Sequence, residues 1–96
     1  MKINNKELLF LIKVRDGGET TARIIDSILE RPYNKNQLSK KLKLDYKTIT
    51  YHIGIISKYN YITKEKFEKS YYYTPSKKLL KHLNEYNLIK ESIKHE

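Results

Sequence analysis

The sequence predicts a mainly α domain with one small β-hairpin (α+β), on three observations. Residues 36–62, NQLSKKLKLDYKTITYHIGIISKYNYI, read as two short helices joined by a tight turn and followed by a strand. From residue 61 to 74 the apolar period changes from that of a helix to β-branched and aromatic alternation. A chain of 96 residues with 39% hydrophobic content suffices for one small core and not for two. The expectation is a single domain over residues 1–96: an N-terminal helix or arm and loop (1–18), a core (20–74) and a C-terminal helix (75–96).

Residues 5–14, NKELLFLIKV, are apolar almost all round, so helix and buried strand both fit; a helix capped by Asn4 or Asn5 is preferred. It serves either as an extra core element or as a surface against a second subunit. Gly17-Gly18 mark a loop. Thr20 or Thr21 then caps a helix with Ile24, Ile25, Ile28 and Leu29 on one face, and Pro32 ends it. On that helix Arg23 reads as a solvated or capping residue, with phosphate contact as the alternative.

The next helix, over 36–42, anchors itself through Leu38 and Leu42, four apart. Lys43 and Leu44 form a turn, and Asp45 stands where an N-cap must. In the helix predicted over 46–58, Ile49, Ile53 and Ile56 make the buried stripe; Tyr46, Lys47, Thr50, Tyr51 and Gly54 fall opposite. That opposite stripe is unusual, because no acid occurs between Tyr46 and Lys58.

The hairpin over 61–74 lacks turn glycines, so a loop of three to five residues is expected around Phe67-Glu68-Lys69. Lys64, Lys66 and Lys69 lie at and near its tip, either as ordinary edge charging or as phosphate contacts. Tyr71 and Tyr73 share a face and Tyr72 points the other way. Two helices, a turn and a hairpin in this order make a winged helix-turn-helix, here with additional N- and C-terminal dimerisation helices. Thr74-Pro75 opens the last of these, with proline in the first turn. Leu79, Leu83, Tyr86, Ile89 and Ile93 form its stripe at near-heptad spacing, supplemented by Leu80 and Leu88. The stripe covers its own subunit or pairs with a second one. A small domain has few places left to cover so much apolar surface, so the five are candidate dimer contacts.

The chain carries a net charge of +9, and the charge is segregated. Thirteen of its 20 lysines and arginines, and only three of its 11 acids, fall between Arg31 and His82. That segment suits a polyanion. Zero cysteines exclude disulfides, zinc ribbons and thiol nucleophiles. His52, His82 and His95 fall on different elements without metal-ligand spacing, and His52 reads as a packed or capping residue before a ligand or base. With no acid pair, phosphate loop or nucleophile motif, neither an enzyme nor a cofactor nor a metal is expected. The longest apolar run, residues 8–12, is too short for a membrane span and lacks a signal-peptide cleavage site, so a cytoplasmic protein is expected.

Asn36, Leu38, Leu42, then LDYKT over 44–48 and Tyr51-His52-Ile53, resemble the helix-turn-helix of archaeal ArsR-like winged-helix transcription regulators. Upstream, Arg15-Asp16-Gly17-Gly18, Thr21, Arg23, Ile24, and Arg31-Pro32 through Asn36 resemble the segment before it. The resemblance spans roughly residues 15–74. It implies a recognition helix at 46–58 and a homodimer on double-stranded DNA. Asp16 departs from the group's arginine-glycine-glycine pattern, and the thiolate ligands of its metal-sensing branch are missing. On this reading Tyr46, Lys47, Thr50 and Tyr51 are base-reading candidates. Lys40, Thr48, Lys58 and the wing lysines Lys64, Lys66 and Lys69 are phosphate candidates. The expected function is a sequence-specific regulator, a repressor acting by occlusion. A sequence-indifferent architectural DNA binder and a protein-interaction module are the competing functions.

Overall fold

The computed structural model describes residues 5–94, the side chain of Lys94 excepted; the Asn4 alternative and His95 lie outside them. Asn5 caps a short helix α1 (Lys6–Leu9) by accepting from the Leu8 backbone N–H at 3.0 Å. The chain continues as a π turn, Phe10–Val14, closed by Arg15 N–H donating to the Phe10 carbonyl at 3.0 Å. Leu8, Leu11 and Ile12 are buried. The helical alternative for this segment is the one realised.

Helix α2 runs Gly18–Glu30 and starts earlier than the expected Thr20 or Thr21 cap. Gly17 turns the chain at φ 84°, a left-handed conformation that glycine adopts at little cost. Gly18 then passes so close to α1's extension that a Cβ there would lie 1.9 Å from the Ile12 carbonyl oxygen. Thr21 is consequently buried in the helix interior, where it caps nothing. Arg31, in extended conformation before Pro32, ends α2 as expected. Arg23 caps the neighbouring helix, donating to the Leu42 carbonyl at 3.1 Å.

Helix α3 (Lys35–Leu42) opens on a capping box in which the Asn34 side chain accepts from Gln37 N–H at 2.8 Å and Gln37 returns the bond at 2.9 Å. Lys43, at φ 56°, makes the turn. Helix α4 runs Tyr46–Lys58, with Ile49, Ile53 and Ile56 buried as their spacing predicts. Asp45 occupies the N-cap position, but its carboxylate makes no capping bond; only its carbonyl accepts, from Ile49 N–H at 3.0 Å.

Strands β1 (Ile62–Phe67) and β2 (Ser70–Pro75) pair antiparallel with Phe67 opposite Ser70, so the turn is the two residues Glu68 and Lys69. The longer loop expected from the missing glycines is not formed, because Glu68 itself takes the left-handed conformation at φ 57°. Tyr33 adds a bridge to β2: Tyr73 N–H donates to its carbonyl at 2.8 Å, tying the wing to the α2–α3 link.

Pro75 pairs with Ile62 and ends β2, so it does not start a helix. Ser76 supplies the cap instead, accepting from Leu79 N–H at 3.1 Å. The C-terminal segment is two helices, α5 (Lys77–Lys81) and α6 (Leu83–Lys94), broken at His82. Leu79, Tyr86 and Ile89 are 0% exposed, and the Tyr86 hydroxyl donates to Asp26 at 2.7 Å. Leu83 and Ile93 pack part-buried on the same core. The stripe therefore closes its own subunit, which removes Leu79, Tyr86 and Ile89 as dimer contacts. Among the described residues no helix is long and apolar enough to cross a membrane.

Candidate nucleic-acid interface

Because the isoleucine stripe points α4 into the core, its other face stands in solvent with Tyr46, Lys47, Thr50 and Tyr51 exposed together. Tyr51 is 62% and Tyr46 50% exposed, large values for rings whose only local role would be packing. A Cβ added at Gly54 would meet nothing within 4 Å, so this face is open along its middle. Thr48 is half-buried on the flank of the first turn. Lys58 ends the helix about 18 Å from Tyr46 by helical rise, and Lys40 stands exposed on α3.

The hairpin register decides which wing residues face α4. Lys64 pairs with Tyr73 and Lys66 with Tyr71, so these four lie on one face, with Glu65, Phe67 and Tyr72 on the other. Lys64 lies 4.6 Å and Lys66 5.9 Å from the Tyr71 ring centroid, a cation–π arrangement that holds both ammoniums over that face. Between helix and wing runs a cleft of about 360 Å3, lined by Thr50, Gly54 and Ser57 from α4 and by Lys64 and Tyr73 from the wing. Lys69 lines a second cleft with Tyr46, Tyr71 and Lys35. Among the described residues no carboxylate lines either one. Sequence reasoning missed Lys35, Ser57, Tyr71 and Tyr73 as members of this surface. A two-residue turn in the hairpin would have given the register that joins Lys64 to Tyr73.

Behind α4 the helix is fixed by a buried polar link. Thr21 accepts from the Arg15 guanidinium and is 3.1 Å from His52 Nδ1. Burial, and then the Arg15 charge, hold the His52 pKa below the ordinary histidine value. His52 is 6% exposed and is a packed residue, as its place beside the isoleucine stripe suggests. Among the described residues Arg15 Nε is buried without a hydrogen-bond partner.

A helix-turn-helix whose second helix is exposed along one face and flanked by a hairpin wing defines the winged helix-turn-helix fold. Solved structures share it. The transcriptional regulator HlyU from Vibrio vulnificus CMCP6 matches with a TM-score of 0.65 at 17% identity, over 91% of this chain and 82% of that one. Reduced HlyU from Vibrio cholerae N16961 matches at 0.64 and 16% identity, over 86% and 79%. A MarR protein from Peptoclostridium difficile matches at 0.64 and 32% identity over 86% of this chain, which spans only 53% of that protein. No family model matches the sequence, and no curated protein does.

Proposed function

We propose that this protein is a sequence-specific DNA-binding transcription regulator, a cytoplasmic repressor that acts by occluding its promoter as a homodimer. The observation that carries the reading is the acid-free, exposed face of α4 beside a wing whose Lys64 lines the cleft between them. In the major groove Lys47 donates to guanine O6 and N7, while Thr50, Tyr46 and Tyr51 meet base edges and thymine methyls. Lys64, Lys66 and Lys69 on the wing, with Lys40, Thr48 and Lys58, hold phosphates. The archaeal ArsR-like affiliation rests on the motif resemblance in residues 15–74.

The second copy docks where apolar side chains remain uncovered. Phe10 and Val14 on the π turn and Leu80 and Leu88 on the C-terminal helices are 37–66% exposed, and α6 packs against α1 and its extension. Such a dimer presents two α4 helices about 34 Å apart to a pseudo-palindrome.

Selection from random duplex DNA tests the reading, with affinity measured for the winner and for scrambled duplex at two salt concentrations. The expected result is a symmetric motif bound at least about a thousandfold better than scrambled duplex. Uniform, salt-sensitive binding would replace the proposal by an architectural DNA binder, and absence of binding by a protein-contact module.

A further inference from the structure

Three phenols from two elements, Tyr46 at the start of α4 and Tyr71 and Tyr73 on β2, line one cleft of about 220 Å3 together with Lys35, Asn36 and Lys69. Tyr73 is the informative member. It is 5% exposed, is fixed by the bridge to Tyr33 and lines the cleft. Burial, and then the neighbouring Tyr46 and Tyr71 phenols, push its pKa up, so its hydroxyl keeps its proton and can donate. Lys35 stands 5.8 Å from the Tyr46 ring centroid, and no acid lines the cleft.

The occupant must therefore offer several acceptor oxygens and negative charge. A metal cation would meet two ammoniums and no carboxylate. A base edge brings donors as well as acceptors and no charge. A phosphate group has acceptor oxygens in a tetrahedral arrangement and the complementary charge. We infer that the cleft between the wing turn, the N-terminal end of α3 and the first turn of α4 is a seat for one phosphate group. Lys35 and Lys69 supply charge there, and the hydroxyls of Tyr46, Tyr71 and Tyr73 donate.

The phosphate has two sources: a phosphodiester of bound duplex, which rests on the DNA-binding reading above, or a free phosphate ester, which does not. With the first source Tyr46 grips the backbone and leaves base reading to Lys47, Thr50 and Tyr51. With the second, an occupied seat excludes the duplex phosphate, so a small phosphorylated ligand would regulate the protein without a separate ligand domain.

Two measurements on the full chain test this. Inorganic phosphate is titrated against chloride at constant ionic strength while the tyrosine ring NMR signals are followed. Duplex affinity is then compared between wild type, Tyr73→Phe and Lys69→Gln. A saturable shift centred on Tyr73 in wild type, absent in Tyr73→Phe, establishes the seat for free phosphate. A roughly tenfold loss of duplex affinity in both variants, at unchanged melting temperature, establishes it for the phosphodiester. The inference is overturned if phosphate produces no saturable shift and both variants bind duplex as wild type does. If wild type binds no duplex, the regulator reading fails on its own and the phosphate titration alone decides the seat: a saturable Tyr73 shift upholds it and none overturns it.

Discussion

His52 and Tyr51 are consecutive on α4, with rings 5.2 Å apart, and yet one is 6% and the other 62% exposed. The helical turn of about 100° per residue sets that difference and gives the two side chains opposite duties. Burial, and then the Arg15 charge, favour the neutral form of His52, which lies 3.1 Å from the Thr21 hydroxyl. Its folded pKa lies below the unfolded one, so acidification protonates the unfolded chain first. Stability is complete above the unfolded value near 6.5 and falls as pH drops from there toward the folded value. The melting temperature should therefore decline between about pH 7.5 and pH 5.5, and His52→Asn, whose amide oxygen can accept from Thr21 but cannot titrate, should flatten that decline. An unchanged slope in the variant would refute the assignment. Glu7 acts in a separate window. Bonds from Lys78 and Tyr61 lower its pKa, so its contribution is present above the unfolded value of 4.5 and is lost as pH falls further. The place of His52 beside the isoleucine stripe was legible in the sequence. Its partners were not, because Thr21 lies 31 residues away and reads locally as a helix cap.

Helix ends show what an element's sequence conveys and what it conceals. The apolar spacing bounded α4 at Tyr46 and Lys58 because three isoleucines sample one face over two turns. Its cap was a different matter. Asp45 has the composition of an N-cap and the backbone position of one, but its side chain makes no capping bond, whereas Asn34 and Gln37 form the reciprocal pair that fixes α3. Composition identifies groups able to cap; only the backbone entry angle decides whether the bond closes. Asn34→Ala should cost about 1 kcal/mol. For a domain of this size that corresponds to roughly 4–8 °C in melting temperature. Asp45→Ala should leave the melting temperature nearly unchanged. Thermal denaturation of the two variants side by side checks both, and equal losses would contradict the geometry. The hairpin turn is concealed in the sequence for a related reason. Glycine is the usual solution to a two-residue turn, but Glu68 takes the left-handed conformation, and that shift in turn length hid the pairing of Lys64 with Tyr73.

At the scale of the molecule, the C-terminal helices show why an apolar stripe does not identify its partner. Leu79, Tyr86 and Ile89 have the spacing of an oligomer seam, yet α6 lies against the N-terminal segment, and the Tyr86 hydroxyl reaches the Ala22 carbonyl at 3.0 Å and Asp26. The N-terminal helix and the C-terminal helices thus complete each other's burial, a long-range arrangement that no local pattern encodes. What they leave outside is Phe10, Val14, Leu80 and Leu88. If those four form the contact with a second copy, the covered and uncovered residues must separate in experiment. Tyr86→Phe removes a buried hydroxyl and the bond its proton makes to Asp26, so it should lower stability by about 1–2 kcal/mol without altering the association state. Val14→Glu with Leu88→Glu places charge on the uncovered surface and should leave the fold intact while shifting sedimentation from dimer to monomer. Operator affinity should fall with it, because each half-site would then be bound singly. If the double variant sediments as wild type does, the dimer, where one forms, uses another surface, and the N-terminal and C-terminal helices serve only to close the core of one subunit.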